Sequence, residues 1–130
     1  MADGRSLMAP EERRAHLEHA RELFNRGDYW LAHEALETVW RSIIKESEEA
    51  QVWQGLIQAA AAMLHRQRGN RHGIVKLGAA ALAKLGGPQR PEIEFDTVTF
   101  RVQLGRALAG DAEAPRLEFR GDDGERKTDD

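Results

Sequence analysis

A helix drawn over Glu48 to Gln67 is apolar or small around most of its circumference. At about 100° per residue, Trp53, Leu56, Ile57, Ala60 and Leu64 form one face, and Gly55, Ala59 and Ala62 form a second, small-residue face. A helix with so little polar surface is stable only when neighbours cover it on more than one side, so it belongs at the centre of a bundle. Ser47 suits the N-cap, with Glu48 and Glu49 in the first turn. The small-residue face admits a second helix at close range, within the chain or across a homodimer. The remaining stripe is polar: Gln54, Gln58 and His65, at four- and seven-residue intervals along one edge.

The stretch Phe24 to Arg41, FNRGDYWLAHEALETVWR, supplies a natural neighbour. Gly27 takes the left-handed conformation that ends the preceding helix, and Asp28 is placed to cap the next one. From Tyr29 to about Lys45, Tyr29, Ala32, Leu36, Val39, Trp40, Ile43 and Ile44 gather on one side of a helix. His33 falls within that apolar sector and Glu37 lies at its edge, one turn on, while Glu34 and Arg41 sit on the flank. An imidazole aimed into a packed interface loses hydration at both ring nitrogens unless partners meet them. The polar stripes of the two helices are therefore expected to face each other.

Elsewhere, Pro10 with Glu11 and Glu12 opens a first helix running to about Asn25, with Leu17, Ala20, Leu23 and Phe24 inward. His16 and His19 on it read as solvated or half-exposed. Gly69 and Asn70 make a turn, and a fourth helix from about Arg71 to Leu85 buries Ile74, Leu77, Ala81 and Leu85. Residues 88–95 read as an extended connector. Asp96 caps a fifth helix, Phe95 and Phe100 have hydrophobic-staple spacing, and Val98, Val102, Gly105 and Leu108 are expected inward. The domain layout is a loose segment at 1–9, a helical domain at 10–110, and a mostly disordered charged tail at 111–130, with Leu117 and Phe119 able to dock. The fold class is all-α: one antiparallel bundle of about five helices around a central buried pair.

At 130 residues the chain suits one domain, and no internal repeat is found in it. It contains no cysteine, which removes disulfides, thiolate metal sites and thiol catalysis, and fits a cytoplasmic, reducing setting. The N-terminus lacks the apolar core of a signal peptide, and GLIQAAAAML is too short to span a bilayer, so no membrane partner is expected. A formal net charge of −3 argues against a general nucleic-acid surface.

The paired motifs resemble the domain of unknown function 309 family of small helical proteins, over about Arg21 to Leu85 with a weaker echo in PEIEFDTVTF. The residues that carry the resemblance are Ala32, His33, Glu34, Glu37, Trp40 and Arg41 in AHExxExxW and its following Arg, then Gln54, Gly55, Gln58, His65, Gly69, Asn70 and Gly73 in QGLIQ…H…GNxxG. The resemblance implies an all-α fold and no transferable activity.

Three chemistries fit these residues. His33 and Glu37, four apart on one helix, can share a divalent metal such as zinc or manganese, with His65 as third ligand and Glu34 or His33 as catalytic base of a hydrolase. The pattern departs from HExxH, since Glu37 stands where the second histidine would be, and no Glu-x-x-His pair of the di-iron bundles occurs. An anion can be met at the turn by Arg66, Arg68, Arg71, His72 and Lys76. A protein-interaction module is the third reading, since Ala20 to Ala32 fits one tetratricopeptide-type hairpin, but the expected second copy about 34 residues on is missing. The reading that unites the motifs is a buried polar site for a small molecule or a structural lock, formed by His33, Glu34, Glu37, Gln54, Gln58 and His65 and flanked by Trp40, Arg41 and Asn70. No reaction is specified by these residues.

Overall fold

The computed structural model describes residues 8–121. Five helices form where the sequence supplies their starts and stops: α1 (Pro10–Asn25), α2 (Tyr29–Trp40), α3 (Glu48–Gln67), α4 (Arg71–Lys84) and α5 (Thr97–Leu108). Ser47 Oγ, Asn70 Oδ1 and Asp96 Oδ1 accept from the amides of Ala50, Gly73 and Thr99, meeting donors that a helix start otherwise leaves unpaired. Asp28 does not cap α2 with its side chain; its carboxylate instead accepts from Arg26 Nε at 2.7 Å.

The fold is an all-α bundle with α3 between α2 and α4, α1 against α2, and α5 against α4. Trp53, Leu56, Ala59, Ala60, Ala62 and Met63 of α3 are all buried, so the near-continuous apolar surface is covered as expected. The small-residue face meets α4. A Cβ built on Gly55 would lie 2.9 Å from Lys84 Cβ and 3.1 Å from Leu85 Cγ, so that crossing needs a glycine. No helix among the described residues is long and apolar enough to cross a membrane.

Three boundaries or faces differ from the periodicity. α2 stops at Trp40 rather than near Lys45. Its last carbonyls are taken up by tighter bonds, Ser42 N to Val39 O at 3.0 Å and Ile43 N to Trp40 O at 3.3 Å. Lys45 Nζ also reaches the Trp40 carbonyl at 3.3 Å. The chain turns there, burying Ile43 and leaving Ile44 41% exposed. On α4, Ala81 and Leu85 are buried but Ile74 and Leu77 only partly. On α5 the inward face is Thr97, Phe100, Leu104 and Ala107, one residue out of phase with the expected set; Val98 and Val102 are 48% and 51% exposed. Phe100 fixes that phase, because its ring packs edge-on to Phe24 at 5.4 Å.

After α5 the chain returns to the bundle. Leu117 and Phe119 are buried, and Asn25 clamps Leu117 with two bonds of 2.8 Å, one from each amide atom. Phe119 forms an antiparallel bridge with Phe95, flanked by Asp96 N to Glu118 O at 2.9 Å and Arg120 N to Glu94 O at 2.8 Å. Packing thus extends to residue 121. The rest of the tail expected to be disordered, 122–130, and residues 1–7 of the N-terminal segment lie outside the described residues.

Beside Trp53 sits a clasp that no helical periodicity marks. Glu49, 8% exposed, accepts from Arg13 Nη2 at 2.8 Å and from the indole Nε1 of Trp53 at 3.1 Å. Arg13 also donates through Nε to Glu94 at 2.8 Å and stacks over Trp53 at 5.4 Å. Burial opposes the guanidinium charge, but the hydrogen bonds and charges of Glu94 and Glu49 outweigh it and hold Arg13 above its ordinary value.

Candidate functional site

On α2, residues four apart line up as a row of charge and imidazole. His33 Nε2 lies 3.6 Å from Glu37 Oε2, and the other oxygen of Glu37 accepts from Arg41 Nη2 at 3.1 Å. Glu37 is therefore shared between a histidine below and an arginine above. His33 and Glu37 are about three-quarters buried, with side chains 22% and 26% exposed, whereas Arg41 is mostly in solvent. Trp30, one turn before His33, stacks on the imidazole with centroids 5.5 Å apart and planes at 11°. Its three-residue spacing from His33 was the available signal for that contact. Glu34 is exposed on the outer side of α2, away from the apolar sector that holds His33. Trp40 is partly buried and serves as a shelf for Lys45, whose Nζ lies 4.6 Å from the ring centroid.

On α3, Gln54, Gln58 and His65 are all partly buried along one edge. Gln67 Nε2 donates to Gly27 O at 2.9 Å and sets the register of α3 against the start of α2. With antiparallel helices rising equally, six residues from that point bring His33 level with Ala61, between Gln58 and His65.

The second half of the motif builds the α3–α4 joint. The His65 carbonyl accepts from Asn70 N at 2.9 Å, and Asn70 Oδ1 accepts from Gly73 N at 3.1 Å. The His65 ring then lies flat against Gly73, where a Cβ would come within 2.4 Å of it. His65, Asn70 and Gly73 thus form one unit, and Asn70 is spent on capping α4 rather than left for a ligand.

Four buried side-chain atoms among the described residues have no hydrogen-bond partner, and three belong to this region: His33 Nδ1, Gln58 Oε1 and His65 Nδ1. Such atoms are rare in packed interiors because each carries an uncompensated loss of hydration. The metal triad expected from spacing is not formed. Among the described residues no three His, Asp or Glu side chains are grouped so as to hold an ion. The reason is local: His65 turns its ring onto Gly73, and Glu37 is already engaged by Arg41. Clefts of about 300 Å³ and 400 Å³ open elsewhere, one beside Val52, Leu85 and Arg90 and one beside Arg66, Arg71 and Leu108. Neither is lined by His33, Gln58 or His65.

Tyr29 closes the start of α2. Burial raises its phenol above the ordinary value, and the charge of Arg66 partly counters that rise. A sequence model described as domain of unknown function (DUF309) matches residues 17–77, a span that holds α2, α3 and the joint just described. No curated protein matches the chain.

Proposed function

We propose that this chain, a member of the DUF309 family, binds a small uncharged polar molecule beside α3, through His33 of α2 and Gln58 and His65 of α3. One observation carries the reading: all three have a buried polar atom without a partner, and only Arg90 Nε shares that state among the described residues. Two imidazoles and an amide carbonyl can together give and accept hydrogen bonds without adding charge. Glu37 contributes no free charge, since Arg41 neutralises it at 3.1 Å. A ligand with several hydroxyl or amide groups matches this set, whereas an anion or a cation would enter without a counter-charge. Trp30 stacked on His33 forms an apolar wall beside the site. Glu34, Trp40, Arg41, Gln54 and Asn70 have supporting or peripheral places in this reading. A binding role explains why the unpaired atoms persist, because functional polar groups are kept at the expense of stability.

The test pairs binding with stability. Imidazole nitrogen resonances of His33 and His65 are followed by NMR against a panel of polyols, amides and nucleosides. A ligand that moves both histidines in the natural chain and neither in Gln58→Leu supports the site. Gln58→Leu itself removes an unpaired acceptor and is expected to raise stability by about 1 kcal/mol. If no compound moves either histidine and Gln58→Leu lowers the melting temperature, the three atoms are met by ordered water as part of the core, and the reading fails.

A further inference from the structure

Between Glu49 and Glu92 the chain has no acidic residue, yet it has Arg66, Arg68, Arg71, Lys76, Lys84 and Arg90. The fold concentrates part of this imbalance at one end of the bundle. There the α1–α2 turn meets the end of α3 through Gln67 and Gly27, 2.9 Å apart. A cleft of about 400 Å³ joins Arg66, Gly69 and Arg71 to Ala107, Gly110 and Asp111 at the end of α5. Arg68, Arg71 and Lys76 form no ion pair among the described residues, and Arg66 is bound only to the carbonyls of Ala107 and Ala112, at 3.4 and 2.6 Å. By contrast Arg13, Arg14, Arg26, Arg41, Arg90 and Arg116 all have carboxylate partners. Large apolar side chains are exposed in the first turn of α2, Trp30 54% and Leu31 48%, and early in α4, Val75 63%, which also lines the cleft.

We propose that this end of the bundle docks on an anionic lipid surface, with Trp30, Leu31 and Val75 entering the headgroup boundary and Arg68, Arg71 and Lys76 meeting lipid phosphates. The absence of a spanning helix bears only on crossing a bilayer; attachment from one side needs a few exposed apolar groups ringed by cations. Tryptophan suits that boundary because its ring is apolar and its N–H stays hydrated. A second copy of the chain is a poor occupant, since a two-fold contact would bring these unpaired cations against their own copies. The one carboxylate lining the cleft is Asp111, and Asp28 nearby is already tied to Arg26 at 2.7 Å.

The experiment is co-sedimentation of the full chain with vesicles of phosphatidylglycerol and phosphatidylcholine, against phosphatidylcholine alone. Binding to the mixed vesicles only, weakened by salt and accompanied by a blue shift of Trp30 emission, is expected. The shift is assigned by its loss in Trp30→Phe, which leaves the fully buried Trp53 and the partly buried Trp40 in place. Arg68→Gln with Arg71→Gln lowers partitioning by about 25-fold, roughly fivefold per cation. Leu31→Ser, distant from the α4 cap, gives an independent loss should the paired variant not fold. No sedimentation, equal sedimentation with neutral vesicles, or unchanged binding in both variants overturns the proposal. So does equal affinity for a single-stranded oligonucleotide or for polyglutamate, which would mark a general polyanion surface.

Discussion

Arg13→Met tests the clasp that ties α1 to α3 and to the segment before α5. Methionine keeps the apolar stem packed and removes only the guanidinium. Glu49, with its side chain 10% exposed, then loses its 2.8 Å partner and keeps a single bond from Trp53 Nε1 at 3.1 Å. Removing one member of a buried ion pair costs about 3–5 kcal/mol when the other is left fully enclosed. Here Arg13 is 13% exposed and Glu94 31%, so water can partly compensate, and the expected cost is about 2–4 kcal/mol. For a domain of this size that lowers the melting temperature by roughly 8–16 °C. Glu49→Gln keeps an acceptor for Trp53 and leaves no orphaned charge, so alone it costs about 1 kcal/mol. In the double variant the uncompensated carboxylate is gone, and the loss is smaller than the sum of the two single losses by about 1–2 kcal/mol. Urea unfolding of the four proteins completes the cycle. A loss below about 1 kcal/mol for Arg13→Met, or strict additivity in the cycle, would refute the idea that the buried Glu49 carboxylate relies on Arg13 as its partner.

Two further outcomes follow from the helix ends. Gly73→Ala drives a Cβ to 2.4 Å from the His65 ring and is expected to cost about 1–3 kcal/mol, whereas in a His65→Ala background the same change stabilises by up to about 1 kcal/mol through helix propensity; a melt of the single and double variants reads the change of sign. Tyr29, whose phenol burial holds above its ordinary value, is preferentially protonated in the folded chain. Its contribution is complete below about pH 10, the unfolded value, and is lost as pH rises through the higher folded value, so a Tyr29→Phe variant is expected to show a shallower alkaline decline in urea stability.

Local rules settled most of the architecture before any contact was known. Five helices, the caps at Ser47 and Asp96, and the central place of α3 follow from periodicity and from the few residue types that can start or stop a helix, because those effects act within one or two turns. Tertiary structure decided what lay between elements. Val98 and Val102 carry an apolar stripe of correct period, yet the core takes the face one residue away because Phe100 meets Phe24, a contact 76 residues distant in the chain. Glu49 has the composition of an ordinary first-turn carboxylate and became a buried hub only when Arg13 and Trp53 came within reach. The candidate site divides in the same way: the sequence names its polar residues, while the fold presses the His65 ring of α3 onto Gly73 of α4, because that contact depends on a distance between helices that no spacing encodes.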